Sequence, residues 1–288
     1  MSTDVLVWYY NAKLNFGDLL TTYILNYLGN DRHLRFIHSG TKERAQLIGI
    51  GSLLQGIDDT YVGRIWTTGA LYGCNKKVPQ KAYVYGLRGQ NTLETYGGLN
   101  AVTSQLPMLG DGGLLLGLMH QKSPKPRYSL GIVPHYVDER VLRTLVQSNH
   151  PRILIISTQQ HPKDFMHQLV NCRTVISSSL HGIIASDALG IPNRQFIVRS
   201  SKNIVGGQWK FRDYYSSLGE TLPVPFKIRH EADILQILGA SVRTSVSARA
   251  IRNEMIRKKQ VSLLQMTLDM FSDINNTPKE NSLNSQNV

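Results

Sequence analysis

Cysteine is scarce: the 288 residues contain two, Cys74 and Cys172, far apart and outside any C-x-x-C pattern. That excludes a disulfide framework and a structural zinc site, and it fits a protein of the reducing cytoplasm. No stretch approaches the roughly 18 consecutive apolar residues that a bilayer span needs. Met1 to Tyr10 lacks a basic segment followed by a long apolar one, so it reads as a first strand and not as a signal peptide. There is no Walker loop, no G-x-G-x-x-G after a strand, no H-x-x-x-H pair on a helix and no G-x-S-x-G. P-loop phosphoryl transfer, dinucleotide binding, zincin chemistry and the α/β-hydrolase nucleophile are thereby disfavoured. Zinc-finger spacing, RNP-type aromatic strings and helix-turn-helix patterns are also missing, so nucleic acid is not an expected partner.

Acidic residues are the other shortage. Thirty-two Lys and Arg face 20 Asp and Glu, leaving a net charge of +12 that would draw anions such as phosphorylated substrates or lipid headgroups. With 41% hydrophobic residues, a sizeable core is feasible. Short apolar runs end in polar or glycine-rich turns and alternate with helical patterns. Strands are expected at Asp4–Tyr10, Leu47–Gly51, Arg64–Thr68 and Ala82–Leu87, and helices at Leu19–Leu28 and around Thr92–Tyr96. Gln121–Arg127 (QKSPKPR) holds two prolines and three basic residues and suits an exposed linker. The alternation then restarts. Strands are expected at Ser129–Val133, Ile153–Ser157 and Thr174–Ser177, with helices at Asp138–Ser148, Lys163–Asn171 and Gly182–Leu189. Two such series predict an α/β protein of two Rossmann-like domains, 1–122 and 128–240, with ligands beyond the carboxyl ends of the strands. Residues 241–271 read as a basic helix and 272–288 as a disordered tail.

Several positions carry candidate chemistry. Ser177-Ser178-Ser179-Leu180-His181-Gly182 falls between a strand and a helix, where hydroxyls and unpaired N–H groups can hold an anion and His181 can move a proton. The same residues also fit a plain strand-to-helix turn with a capping serine. In Asn15-Phe16-Gly17-Asp18, Asn15 and Gly17 permit the left-handed conformations of a tight turn, and Asp18 is either a helix cap or a base. Arg88 is placed to clamp a carboxylate or phosphate, or else is solvated surface. Asp111 in LGDGG is a site residue or an Asx-turn, and His135 follows the first strand of the second half. Lys210 and Arg212 belong to an aromatic-rich stretch read as a loop, where the alternative is snorkelling over an apolar patch.

Taken in order, NFGD (15–18), LIGIGSLL (47–54), LRGQNT (87–92), LGDGGLL (109–115), IVPHY (132–136), VISSSLHGIIASDALGIP (175–192) and KFRDYY (210–215) resemble the polysaccharide pyruvyl transferase family, most closely its xanthan-type ketal-forming branch. The resemblance implies a GT-B-like pair of domains around a cleft, with phosphoenolpyruvate as donor and neither metal nor cofactor. It further implies a lipid-linked oligosaccharide acceptor for exopolysaccharide or capsule biosynthesis at the inner face of the cell membrane; residues 241–271 would either rest on that anionic surface or cross back to pack on the N-terminal domain. It assigns catalysis to His181 and Asp18. Substrate binding falls to Asn15, Gly17, Arg88, Asp111, His135, Ser177, Ser178, Ser179, Leu180 and Lys210. Many members carry Arg two residues before the motif histidine, where this chain has Ser179; Arg88 and Lys210 are therefore expected to hold the donor's anionic groups. The alternatives are a GT-B glycosyltransferase using a nucleotide sugar and a non-catalytic glycan-binding protein of the same fold.

Overall fold

The apolar β-branched runs form short parallel strands buried on both faces, as strands flanked by helices on each side must be. The computed structural model describes residues 2–73, 79, 81–96, 106–146, 150–240 and 246–276. The first half contains β1 (Thr3–Trp8), α1 (Phe16–Gly29), β2 (Leu34–His38), β3 (Leu47–Ile48), β4 (Arg64–Thr68), β5 (Tyr83–Leu87), α2 (Gln90–Thr95), β6 (Met108–Leu109) and α3 (Leu116–Met119). The second contains β7 (Tyr128–Val133), α4 (Tyr136–Leu145), β8 (Ile153–Ile155), α5 (Pro162–Leu169), β9 (Cys172–Ser177), α6 (Leu180–Ala188), β10 (Asn193–Ile197), α7 (Gly207–Ser217), β11 (Phe226–Lys227) and α8 (Glu231–Ala240). A long helix, α9 (Val246–Asn276), closes the described chain.

Both sheets are parallel. Their orders are β2-β1-β3-β4-β5-β6 and β11-β10-β9-β7-β8. Each half thus places its first strand between its second and third, and the strand order reverses at β1/β3 in one sheet and β7/β9 in the other. A crevice opens outside the carboxyl ends of the strands at such a reversal. The halves share one core cluster, in which Phe16 of α1 stacks on Phe165 of α5 with ring centroids 3.6 Å apart. The Phe16 amide donates across the halves to the Thr158 carbonyl at 2.9 Å.

Helix α9 rests on both halves, against the first sheet and against α6. Gln260 Nε2 donates to Leu114 O at 2.9 Å and Ala188 O at 3.0 Å, Trp66 Nε1 donates to Thr267 Oγ1 at 3.0 Å, and Leu263, Met270 and Phe271 are fully buried. The positive charge expected on this helix turns partly inward: Arg252 pairs with Asp187 and Glu220, and Lys259 donates to Leu109 O, while Arg257 and Lys258 stay exposed. Among the described residues no helix is long and apolar enough to cross a membrane.

Several local expectations need correction. Residues 210–215 are helical, not a loop: from Gly207 to Ser217 no proline interrupts, and Phe211, Tyr214, Tyr215 and Leu218 recur at helical spacing and are buried. The first strand stops at Trp8, and α1 starts at Phe16, three residues earlier than Leu19, because Asn15 caps it. β2 and β10 were not anticipated, since Arg35, Arg194 and Gln195 break their apolar pattern; Arg35 is satisfied by Asp4 on the neighbouring β1. α9 runs on through 272–276, residues expected to be disordered. The rest of that tail (277–288), residues 241–245 and Cys74 lie outside the described residues.

Candidate functional site

A cavity of about 360 Å³ occupies the place where the two strand-order reversals face one another. Its walls come from the end of β1 (Trp8) and the segments following β1 (Tyr10, Asn15, Asp18), β3 (Gly51, Ser52), β7 (His135, Tyr136) and β9 (Ser179, Leu180, His181), together with Lys210 from α7. Seven of the positions singled out in the sequence therefore meet in one pocket although they lie up to 195 positions apart, from Asn15 to Lys210.

Two helix N-termini meet there. Asn15 has extended backbone (φ −151°, ψ 123°), and its side chain accepts from Gly17 N at 2.9 Å. The cap is thus Asn15 and not Asp18, which sits in the first turn of α1 with its carboxyl free of capping duty. Gly17 is helical, not left-handed. It is needed for close approach, because a Cβ there would lie 2.1 Å from His181 Nδ1. Across the pocket, α6 starts at Leu180. Ser177 Oγ fixes the turn by donating to Val133 O or Ser179 O and accepting from Ser179 N at 3.0 Å. Ser178 Oγ accepts from His135 N at 2.9 Å. Ser177 and Ser178 are buried and do not line the cavity. The Ser179 hydroxyl makes no capping bond, does line it, and is the one of the three placed to meet a ligand.

Burial dominates the electrostatics. Asp18 is pushed up to about 7 by desolvation, which the positive charge of Lys210 partly opposes. Desolvation lowers Lys210 to about 8, with Arg88 adding repulsion and Asp18 working the other way. His181 falls to about 3, through desolvation first and then the charges of Arg88, Lys210 and His135. His135 also falls to about 3, through desolvation and Lys210; its Nδ1 caps α4 by accepting from Val137 N at 3.3 Å. Both imidazoles are therefore neutral near pH 7. His181 Nε2 is enclosed and has no hydrogen-bond partner. An orphaned buried ring nitrogen beside a polar cavity is an uncompensated cost that a ligand can relieve.

Besides Gly17, Ser177 and Ser178, two more expected ligand contacts are not in the cavity wall. Arg88 is fully buried: Nε pairs with Asp213 at 2.8 Å, Nη1 donates to Ser52 Oγ at 2.7 Å, and Nη2 donates to Ala70 O. With its donors spent, it acts on the pocket through its charge and by fixing Ser52. Asp111 is buried too, forming an Asx-turn in which Oδ1 accepts from Gly113 N at 2.8 Å; burial pushes it up to about 6. Conversely, Trp8, Tyr10, Tyr136 and Ser52 were not singled out beforehand. Their position at or just past a strand's carboxyl end was the available signal. Asp213, the partner of Arg88, was visible only as part of KFRDYY.

The profile of a family described as polysaccharide pyruvyl transferase matches residues 15–200, a span that takes in the segments after β1, β3, β7 and β9. The chain is also 37% identical over 115 residues to an uncharacterized protein of Acanthamoeba polyphaga mimivirus, a match covering 38% of this chain and 40% of that protein. The chain thus aligns with about two fifths of the length of that curated relative.

Proposed function

The chain belongs to the polysaccharide pyruvyl transferase family, and on that premise we propose that it transfers pyruvate from phosphoenolpyruvate to two hydroxyls of one sugar, closing a cyclic ketal as in the xanthan-type branch. The acceptor in this reading is a lipid-linked repeat unit of a surface polysaccharide, met at the inner face of the cell membrane. The two halves are taken as GT-B-like, with the donor on the second. One observation carries the reading: Asp18, His181 and Lys210 share a cavity with the N-terminus of α6.

Ketal formation needs a cationic cradle, an acid and a base. The unpaired N–H groups opening α6, the Ser179 hydroxyl and the Lys210 ammonium supply the cradle for phosphate and carboxylate. In the empty site His181 is neutral, partly because positive charges surround it. An entering polyanion offsets those charges and raises the imidazole's pKa, so the donor carries a proton in with it. His181 then protonates the donor's methylene carbon as the first sugar oxygen bonds to C2, and ionised Asp18 takes that hydroxyl's proton. In the second half, the other hydroxyl bonds to C2 and passes its proton to His181, while the C2–O(phosphate) bond breaks. Inorganic phosphate leaves with the proton held by Asp18, which restores both groups.

The test is mass spectrometry of acceptor glycans incubated with the full chain and phosphoenolpyruvate. A pyruvyl mass gain with stoichiometric phosphate release is expected. His181→Ala should lose ~10²–10⁴-fold in turnover while its unfolding midpoint stays near wild type. Turnover close to wild type in that variant would remove His181 from the chemistry.

A further inference from the structure

The cavity lining is chemically mixed. Besides the cationic groups at α6 and Lys210, it carries three aromatic side chains to which no role has been given. Trp8 ends β1, Tyr10 follows it, Tyr136 follows β7, and all three line the cavity. Because β1 and β7 are the equivalent first strands of the two sheets, each half contributes to this aromatic lining.

Two of the rings are held in place. Trp8 packs against the glycine backbone at 56, where a Cβ would come within 3.5 Å of its Cη2, and Lys42 Nζ sits 5.6 Å from its ring centre. Tyr136 has Lys13 Nζ, from the other half, 4.8 Å from its ring centre, and the His135 ring leans on it at 4.4 Å. Tyr10 keeps half of its surface exposed. Grouped with two further rings in one cavity lining, this exposed aromatic offers apolar surface for a ligand to cover.

We propose that Trp8, Tyr10 and Tyr136 form the seat for the acceptor's pyranose ring. A pyranose presents an apolar C–H face, which suits these ring faces, and a hydroxyl rim, which the seat would turn toward Asp18 and the donor. A nucleobase would stack as well, and Asn203, which also lines the cavity, offers a carboxamide for its edge, so the experiment below separates the two; the other two lining carboxamides are engaged. Asn15 Oδ1 caps α1, while Gln55 accepts from Leu71 N at 2.7 Å and donates to Tyr72 O at 2.8 Å. The proposal rests on the pyruvyl-transfer reading for the identity of the acceptor; the ring seat itself rests on the cavity.

The experiment follows binding of methyl β-glucoside, methyl β-galactoside and methyl β-mannoside by saturation-transfer NMR, with UMP as the nucleotide probe. Phosphoenolpyruvate binding is measured by calorimetry on the same samples. Tyr10→Ala, the exposed position, and Tyr136→Ala should each weaken glycoside binding about tenfold while phosphoenolpyruvate affinity stays within about twofold. Trp8→Phe, which keeps a stacking face, should retain most glycoside binding. Glycoside binding that is absent, or equal in wild type and both alanine variants, overturns the seat. UMP binding that those variants abolish, with glycosides silent, replaces it with a base site. Glycoside binding lost in the variants when wild type ignores phosphoenolpyruvate keeps the seat and removes the pyruvyl donor instead.

Discussion

Asp18 and Lys210 are an acid and a base brought close to a common protonation range by burial, each moderating the other's shift. Such pairs are expensive to keep and cluster where proton transfer is needed. The cost has a testable sign. An unfolded aspartate titrates near ~3.9, whereas native Asp18 titrates at about 7. Between those values the native state holds a proton that the unfolded chain has released, so stability falls as pH rises through that window and levels off above it. Asn resembles the protonated carboxyl. Asp18→Asn should therefore match wild type in thermal midpoint at pH 4 and exceed it at pH 8, while losing turnover by ~10²-fold or more. Melting curves across pH check this. A variant less stable than wild type at pH 8 would mean that Asp18 serves the fold. Gly17 belongs to the same scale, since its missing side chain is what admits the His181 ring.

At the scale of elements, α7 is positioned by a buried ion pair. Asp213 lies three residues after Lys210 on that helix and receives Arg88 Nε, Thr92 N at 2.7 Å and Thr92 Oγ1 at 2.7 Å. Arg88 at the end of β5 thereby aims Lys210 at the cavity without entering it. Removing one partner of such a pair strands a charge in a low-dielectric interior. Arg88→Leu should lower unfolding stability by ~3–5 kcal/mol, with part recovered in the double variant carrying Asp213→Leu. Urea denaturation reads this directly. Unchanged stability with donor binding abolished would instead make Arg88 a ligand clamp. This pair also marks the limit of sequence reading. His181, Asp18 and Asn15 could be picked out because each sits at a strand or helix end, where chain-local rules apply, and Lys210 as a cation in an aromatic-rich stretch. Arg88 was picked out by the same rule, but its partner lies 125 positions away, and no local pattern tells a buried, satisfied guanidinium from one that meets a ligand. The strands at 34–38 and 193–197 escaped notice for a similar reason: their arginines, Arg35 and Arg194, are satisfied by neighbours the chain reaches only after folding.

Over the whole molecule, the parallel between the halves is clear in the sheets and absent from the packing. Each sheet has its own satellite cluster, yet the largest cluster runs through α1, α5, α6 and α9 without a break at the Pro-rich connector. A cleft walled by both halves needs this continuity, because Asp18 and His181 come from opposite sides and an ångström of slippage would separate them. Helix α9 reinforces it from behind, with the Gln260 carboxamide bridging the Leu114 carbonyl, in the turn between β6 and α3, and the Ala188 carbonyl of α6. Calorimetry should therefore show one unfolding transition, with calorimetric and van't Hoff enthalpies in agreement. Gln260→Ala leaves two buried carbonyls without that donor, at a cost of ~1–3 kcal/mol. With each kcal/mol worth roughly 2–4 °C in a chain near this size, the midpoint should drop by several degrees while the transition stays single. Two separate transitions in wild type would mean that the halves fold independently, and the precise meeting of Asp18 with His181 would then depend on bound substrate and not on the shared core.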